Sequence, residues 1–321
     1  MQAVVLEDFG RLSLKELAVT QEEGVLLQVT ACGVCGSDLS VYKGSPAMRV
    51  RWQPPLVLGH EIAARVLEGP EDWVGRMVAV NPLVACGRCD RCRRGLSNLC
   101  PHRTNVGFHH RGGFAQQLRL PLAQLYPLPE GLTYWKGALC EPLAVALRAV
   151  ELAGPVLGRR VLVMGGGAIG TLAAWLLARA GAEVVVAERN PLRQAWLRGL
   201  EFIQEVLEAP QGLFEVVLDC VGSASTVGLA VNAVEPGGCV VLVGLEATEP
   251  PLPLQRVVLQ EVALKGAYVF THDDFARAVA LVAQVPEGLA VVRPFRTYQE
   301  TFNELLQGRL PQAKAVLVWE E

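Results

Sequence analysis

Cys86, Cys89, Cys92 and Cys100 follow the spacing C-x2-C-x2-C-x7-C within a segment rich in turn formers. Four thiolates gathered this closely suit a tetrahedral zinc ion, and a site closed by four protein ligands leaves no position for a substrate. The predicted role is therefore structural, with metal binding folding a lobe. Free surface thiols are the plainer alternative, but four cysteines within fifteen residues argue against it. Arg88, Arg91, Arg93 and Arg94 beside the cysteines also raise a nucleic-acid-binding zinc ribbon. The acidic balance of the chain and the lack of clustered aromatics speak against that reading.

A second chemical signal is GGGAIG, in which Gly165, Gly167 and Gly170 satisfy G-x-G-x-x-G. The glycines, with Ala168 and Ile169 between them, allow a tight turn whose N–H groups and helix N-terminus can approach a pyrophosphate. Glu188 closes the next apolar run, where a carboxylate can accept from the adenosine ribose hydroxyls. Arg189 and Arg193 could each meet a 2′-phosphate, but Glu188 would repel one, so NAD is expected over NADP. Val221 in VVLDCVG and Gly244 in GGCVVLVG complete the candidate cofactor contacts.

The third signal is dispersed over GVCGSD at 33–38, GHE at 59–61 and CEP at 140–142. Cys35, His60 and a carboxylate offer the ligand types of an open zinc site that keeps a place for substrate. Their spacing alone does not show that they converge.

The elements that must position these residues come in two textures. Residues 3–6, 24–30, 61–67 and 77–80 read as short strands separated by glycine and proline. From Val161 the pattern becomes strand, glycine turn, helix, strand: RRVLVMG, a helix over 168–180, EVVVAE, VVLDCVG and GGCVVLVG. Buried strands separated by helical stretches imply parallel βαβ units. Leu139, Leu143, Leu147 and Val150 recur at helical spacing and bridge the two textures; residues 275–283 and 298–306 are also helical, and KAVLVW is a closing strand.

With 321 residues, 51% of them hydrophobic and 19% charged, the chain can bury about two cores. A net charge of −3 provides no global field for nucleic acid or an acidic membrane, and neither is expected as a partner. The uncharged stretch 161–178 is too broken by glycine for a spanning helix. The start MQAVVLEDFG carries no export signal, and nine cysteines in that setting point to metal or catalysis; a cytoplasmic protein is expected.

Together GVCGSD, LGHE, the four-cysteine lobe, RGGFAQ, CEPLAVA, GGGAIG and GGCVVLVG resemble, in order and over nearly the whole chain, the zinc-dependent medium-chain alcohol dehydrogenases, particularly their polyol and threonine dehydrogenase branch. The resemblance implies an α/β protein. A β-rich GroES-like catalytic domain would span 1–146 and 267–321, and a Rossmann domain 147–266, with the active site in the cleft between them. It implies Cys35, His60 and Glu61 as catalytic zinc ligands, with Glu141 nearby as an alternative or exchanging ligand. Asp38 would orient His60, and Ser37 would contact the alcohol oxygen and carry its proton away. Two zinc ions per chain, a small alcohol or carbonyl substrate and a homodimer or homotetramer follow from the same resemblance. Three departures bear on substrate: Ser40 stands where many relatives have a histidine, Val269 where sorbitol-type relatives have an arginine, and the segment 189–216 is abridged. His109 and His110 precede the RGGF turn, where relatives place substrate-side residues. The competing reading is a zinc-lobed nucleotide sensor or nucleic-acid binder that keeps the fold without turnover.

Overall fold

The computed structural model describes residues 1–19 and 23–319. It divides into two compact units: Met1–Glu141 with Thr271–Gln307 and Lys314–Glu321, and Pro142–Phe270 with Gly308–Ala313. The divisions fall at 141 and 270, where the sequence reading put them at 146 and 266, because the helix Cys140–Ala153 groups with the second unit from Pro142 onward. The return of Gly308–Ala313 to the second unit has no compositional mark.

The first unit is built on a seven-stranded sheet whose central strands are Val25–Val34 and Glu61–Glu68. Both are rich in branched and small apolar residues that suit a buried pleat. Leu27, Val29, Ile62 and Ala64 are buried beside Phe114, Phe302 and Leu317 in one apolar cluster. The two strands run antiparallel with Gly33 opposite Glu61, and the closing strand Lys314–Val318 lies on the other side of the first, with Ala315 opposite Val34. This register matters for function: one strand ends just before Cys35, the second begins at Glu61 and the third begins at Lys314, all at the same edge. The helix Gly36–Lys43 starts there, with Cys35 at its N-cap, and ends on Gly44 in the left-handed region at φ 63°.

The second unit carries a six-stranded parallel sheet. Its order is Glu205–Leu207, Glu183–Ala187, Arg160–Met164, Phe214–Asp219, Val234–Leu242, Ala263–Gly266. This is the 3-2-1-4-5-6 arrangement of a Rossmann sheet, whose switch point lies between the first and fourth strands. The long uncharged stretch resolves into the strand Arg160–Met164 and the helix Ala168–Arg179, and no helix among the described residues is long and apolar enough to cross a membrane. Beyond the fourth strand, the fully buried Asp219 accepts from the N–H groups of Val221 (2.9 Å) and Gly222 (3.0 Å) and from Thr226 Oγ1 (2.9 Å). These bonds fix the turn that faces the glycine motif.

Candidate active site and cofactor site

The strand register brings Cys35, His60 and Glu61 together, with one potential ligand atom from each lying within 4.8 Å of the others. His60 and Glu61 are buried, and Cys35 is partly exposed. Asp38 is fully buried and ties the site in two ways. Its Oδ2 accepts from the Cys35 N–H (2.9 Å), and its Oδ1 lies 3.4 Å from His60 Nδ1. Ser37 Oγ stands 3.4 Å from the other imidazole nitrogen, Nε2. Burial works against a charged His60, yet the carboxylate of Asp38 and the sulfur of Cys35 outweigh it and raise its affinity for a proton well above the ordinary value.

The donor set fits a divalent cation. Glu61 Oε2 is buried with no hydrogen-bond partner, an arrangement costly for a carboxylate unless a ligand completes it. The site also concentrates negative charge, and the Glu141 carboxyl is pushed up to about 7, mainly by burial and in part by Glu61. Glu141 stands outside the mutually close set of three, although its charge is felt by His60 and Glu61.

Two residues of this centre escaped the sequence reading. Lys314 is 4% exposed and donates to Glu61 Oε1 (2.5 Å) and to the Val34 carbonyl (3.1 Å). A lysine heading an apolar strand looks like a solvent-facing start, and its partner lies far away in sequence. Gly33 is the other. A Cβ there would run into the Glu61 carboxylate, so the strand position opposite Glu61 must be bare for that side chain to turn toward Cys35.

Ser40 Oγ donates to the Gly36 carbonyl (2.9 Å), a helix-internal bond that gives the hydroxyl a partner away from Cys35, His60 and Glu61. His109 Nδ1 accepts from the Asn105 N–H (3.1 Å), and its ring meets Trp52 edge-on with centroids 4.6 Å apart. Trp52 in turn contacts Phe108 (5.2 Å), and Phe108 contacts His60 (5.2 Å).

The four lobe cysteines also converge within 4.8 Å, and none is in a disulfide. Cys89 Sγ lies 3.5 Å from Cys92 Sγ and 3.8 Å from Cys100 Sγ. Zinc–sulfur bonds of about 2.3 Å give a tetrahedron with edges of about 3.8 Å. Backbone N–H groups of Arg88 and Cys89 lower the Cys86 thiol to about 6, while burial and the neighbouring sulfurs push Cys92 up to about 12. Without a cation, the four cannot all ionise.

In the second unit a cavity of about 520 Å³ opens at the switch point, lined among others by Gly165, Gly167, Glu188, Arg189, Arg193 and Val221. Gly165 takes φ 91°, and a Cβ on Gly170 would collide with its carbonyl, so both glycines serve the turn and its packing. A Cβ on Gly167 would meet nothing within 4 Å, which leaves open space beside the helix N-terminus where a pyrophosphate fits. Ala168, Ile169, Gly170 and Gly244 do not line the cavity; Gly244 is pressed against the backbone of Val221 and Gly222. Glu188 accepts from Gly166 N–H (2.9 Å), Asn190 N–H (2.8 Å) and Arg193 Nη1 (3.3 Å). The same carboxylate thus organises the glycine turn, a coupling that the motif alone did not reveal.

Two family models match the chain. Residues 21–130 match the alcohol dehydrogenase GroES-like domain, and residues 168–284 match the zinc-binding dehydrogenase domain. The chain belongs to the zinc-dependent medium-chain alcohol dehydrogenases. It is 30% identical over 309 residues to L-galactonate-5-dehydrogenase of Escherichia coli K12, covering 90% of each chain. It is 31% identical over 316 residues to L-idonate 5-dehydrogenase (NAD(P)(+)) of the same organism, covering 91% of this chain and 90% of the relative. The structure of a zinc-binding dehydrogenase of Sinorhizobium meliloti 1021 bound to NADP superposes with a TM-score of 0.87 at 27% identity, covering 99% of this chain and 98% of that one. As a member of this family the chain is a zinc-dependent NAD(P) alcohol oxidoreductase, and the sensor and nucleic-acid readings find no support.

Proposed function

We propose that this dehydrogenase oxidises a secondary alcohol of the polyol, sugar or amino-alcohol type and passes the hydride to NAD. The observation that carries the reading is the convergence of Cys35, His60 and Glu61, with a buried, unpartnered Glu61 oxygen among them. Relatives named for sugar acids support the substrate class. The test is a panel of simple secondary alcohols, polyols, sugar acids and threonine with NAD or NADP, followed at the nicotinamide absorbance. Turnover confined to simple alcohols would contradict the substrate class.

Cys35, His60 and Glu61 would hold the catalytic zinc, with Glu141 as an exchanging donor, and Cys86, Cys89, Cys92 and Cys100 a second, structural one. The catalytic ion supplies Lewis-acid chemistry, polarising the substrate oxygen and lowering the alcohol's pKa. Asp38, whose Oδ1 stands 3.4 Å from His60 Nδ1, would orient the ring. Glu61 is kept in place by Gly33 and Lys314. Ser37 takes the alcohol proton at its hydroxyl and passes it to solvent, because Ser40 lacks an imidazole that could accept it near neutral pH. Ser37→Ala is expected to lower kcat about 10²- to 10⁴-fold, the range of general acid–base catalysis, with NADH affinity unchanged. Rate assays beside NADH fluorescence titration measure both. An undiminished kcat would send the proton by way of Glu61 or Glu141.

Glu188 favours NAD because its carboxylate receives ribose hydroxyls and repels a 2′-phosphate. Its contacts with Gly166 and Arg193 mean that Glu188→Ala removes a hydrogen-bond acceptor from both cofactor and turn. The ratio of NADPH to NADH dissociation constants is expected to fall about ten- to a hundredfold, in line with a charged hydrogen bond. A wild-type protein that binds NADPH more tightly than NADH would reverse the assignment in favour of Arg189 and Arg193.

A homodimer or homotetramer, which light scattering reads directly, is supported by the open edge strand Ala263–Gly266. In the same unit the short helix before it leaves Leu254, Val258 and Leu259 more than 60% exposed.

A further inference from the structure

The chain carries a net charge of −3, yet two long segments that reach the Cys35–His60–Glu61 centre contain no acid. None occurs between Asp38 and Glu61, and none between Asp90 and Glu130. The first of these segments supplies Arg51 and Trp52, and the second Arg103, Phe108, His109 and His110. The rings form a continuous path from the site: His60 to Phe108, Phe108 to Trp52, Trp52 to His109. Arg51 extends the path, with its guanidinium carbon 6.0 Å from the Trp52 ring centroid, and among the described residues it has no carboxylate partner. Arg103 is held by a bond from Nη1 to the Asn98 carbonyl (2.8 Å), and His110 Nε2 lies 2.9 Å from Thr104 Oγ1. Partial burial, then His110, Arg103 and Arg51, lower the basicity of His109, so the two arginines and His110 lie near the same ring.

Resting on the secondary-alcohol reading, we propose that Phe108 and Trp52 form the wall of a substrate subsite, with Arg51 at its far end, assisted by Arg103 and His110, receiving a terminal anionic group. The substrate is then a polyol chain that ends in a carboxylate or a phosphate ester, with its reacting carbinol at Cys35, His60 and Glu61. The ring faces lie along the C–H surface of the chain, and the guanidinium recognises the anion by charge-assisted hydrogen bonds. Arg51 is exposed at the end of a short helix, so its replacement leaves the fold intact.

The experiment compares wild type and Arg51→Gln on a hexonate, the hexitol of the same configuration and its terminal phosphate, each at low and high salt. Wild type is expected to favour an anionic substrate at least about tenfold in kcat/KM, with a KM that rises with salt only for the anions. Arg51→Gln should raise that KM about tenfold or more, matching the loss of one charged hydrogen bond, with kcat and all hexitol constants unchanged. The anion whose KM moves more identifies carboxylate or phosphate as the group recognised. Hexitol turnover equal to that of both anions, or anion KM values untouched by Arg51→Gln, would overturn the subsite and leave the dehydrogenase reading standing. Turnover of a simple secondary alcohol with none of the three would overturn both the subsite and the proposed substrate class.

Discussion

Cys35→Ala is expected to abolish alcohol oxidation while the circular dichroism spectrum, melting curve and NADH affinity stay close to wild type. Cys35 caps a helix at the end of a strand and is partly exposed, so its sulfur fills no core. Without it, the set of mutually close donors is reduced to His60 and Glu61. Metal-assisted charge stabilisation is worth several kcal/mol, and each ~1.4 kcal/mol is a factor of ten, so a loss of at least about three powers of ten in kcat is expected. NADH titration separates this from misfolding, since the cavity belongs to the second unit. Activity within tenfold of wild type would end the catalytic assignment of Cys35.

Lys314→Met carries the largest expected cost in stability. Both partners of the Lys314–Glu61 pair are buried, with side chains 4% and 0% exposed. In the metal-free protein, removing one member of such a pair leaves a buried charge uncompensated, at about 3–5 kcal/mol. Methionine keeps most of the volume, so the loss reports charge and not a cavity. The double variant Lys314→Met/Glu61→Gln should recover more than half of that loss, because the stranded carboxylate is gone. Chemical denaturation of the three proteins measures this. A single variant that loses less than about 1 kcal/mol would mean that Glu61 is satisfied without Lys314.

What the sequence made legible depends on the distance over which each feature is encoded. The cysteine lobe is local: four thiols in fifteen residues can be read from spacing, and the structure brings the same four together. The parallel sheet is legible because each buried strand is followed by its own turn and helix, and GGGAIG lies directly after one of them. The cluster of Cys35, His60 and Glu61 is different. Its convergence depends on Gly33 pairing with Glu61, a register set by two strands and two register shifts between them, and no local pattern announces it; family resemblance supplied it. Lys314 lies further still, since its burial is decided by the closing strand pairing with Val25–Val34. Membership of a motif also overstates contact. Ala168, Ile169 and Gly244 belong to the expected cofactor set but do not line the cavity, whereas Arg193, read only as a phosphate candidate, is already bonded to Glu188.

The central claim, that Cys35, His60 and Glu61 form the catalytic zinc centre apart from the four-cysteine lobe, is tested most directly by zinc stoichiometry on purified wild type and Cys35→Ala. Two equivalents per chain in wild type and one in the inactive variant are the expected values. Two equivalents retained by Cys35→Ala, or a fully active wild type with only one, would contradict it.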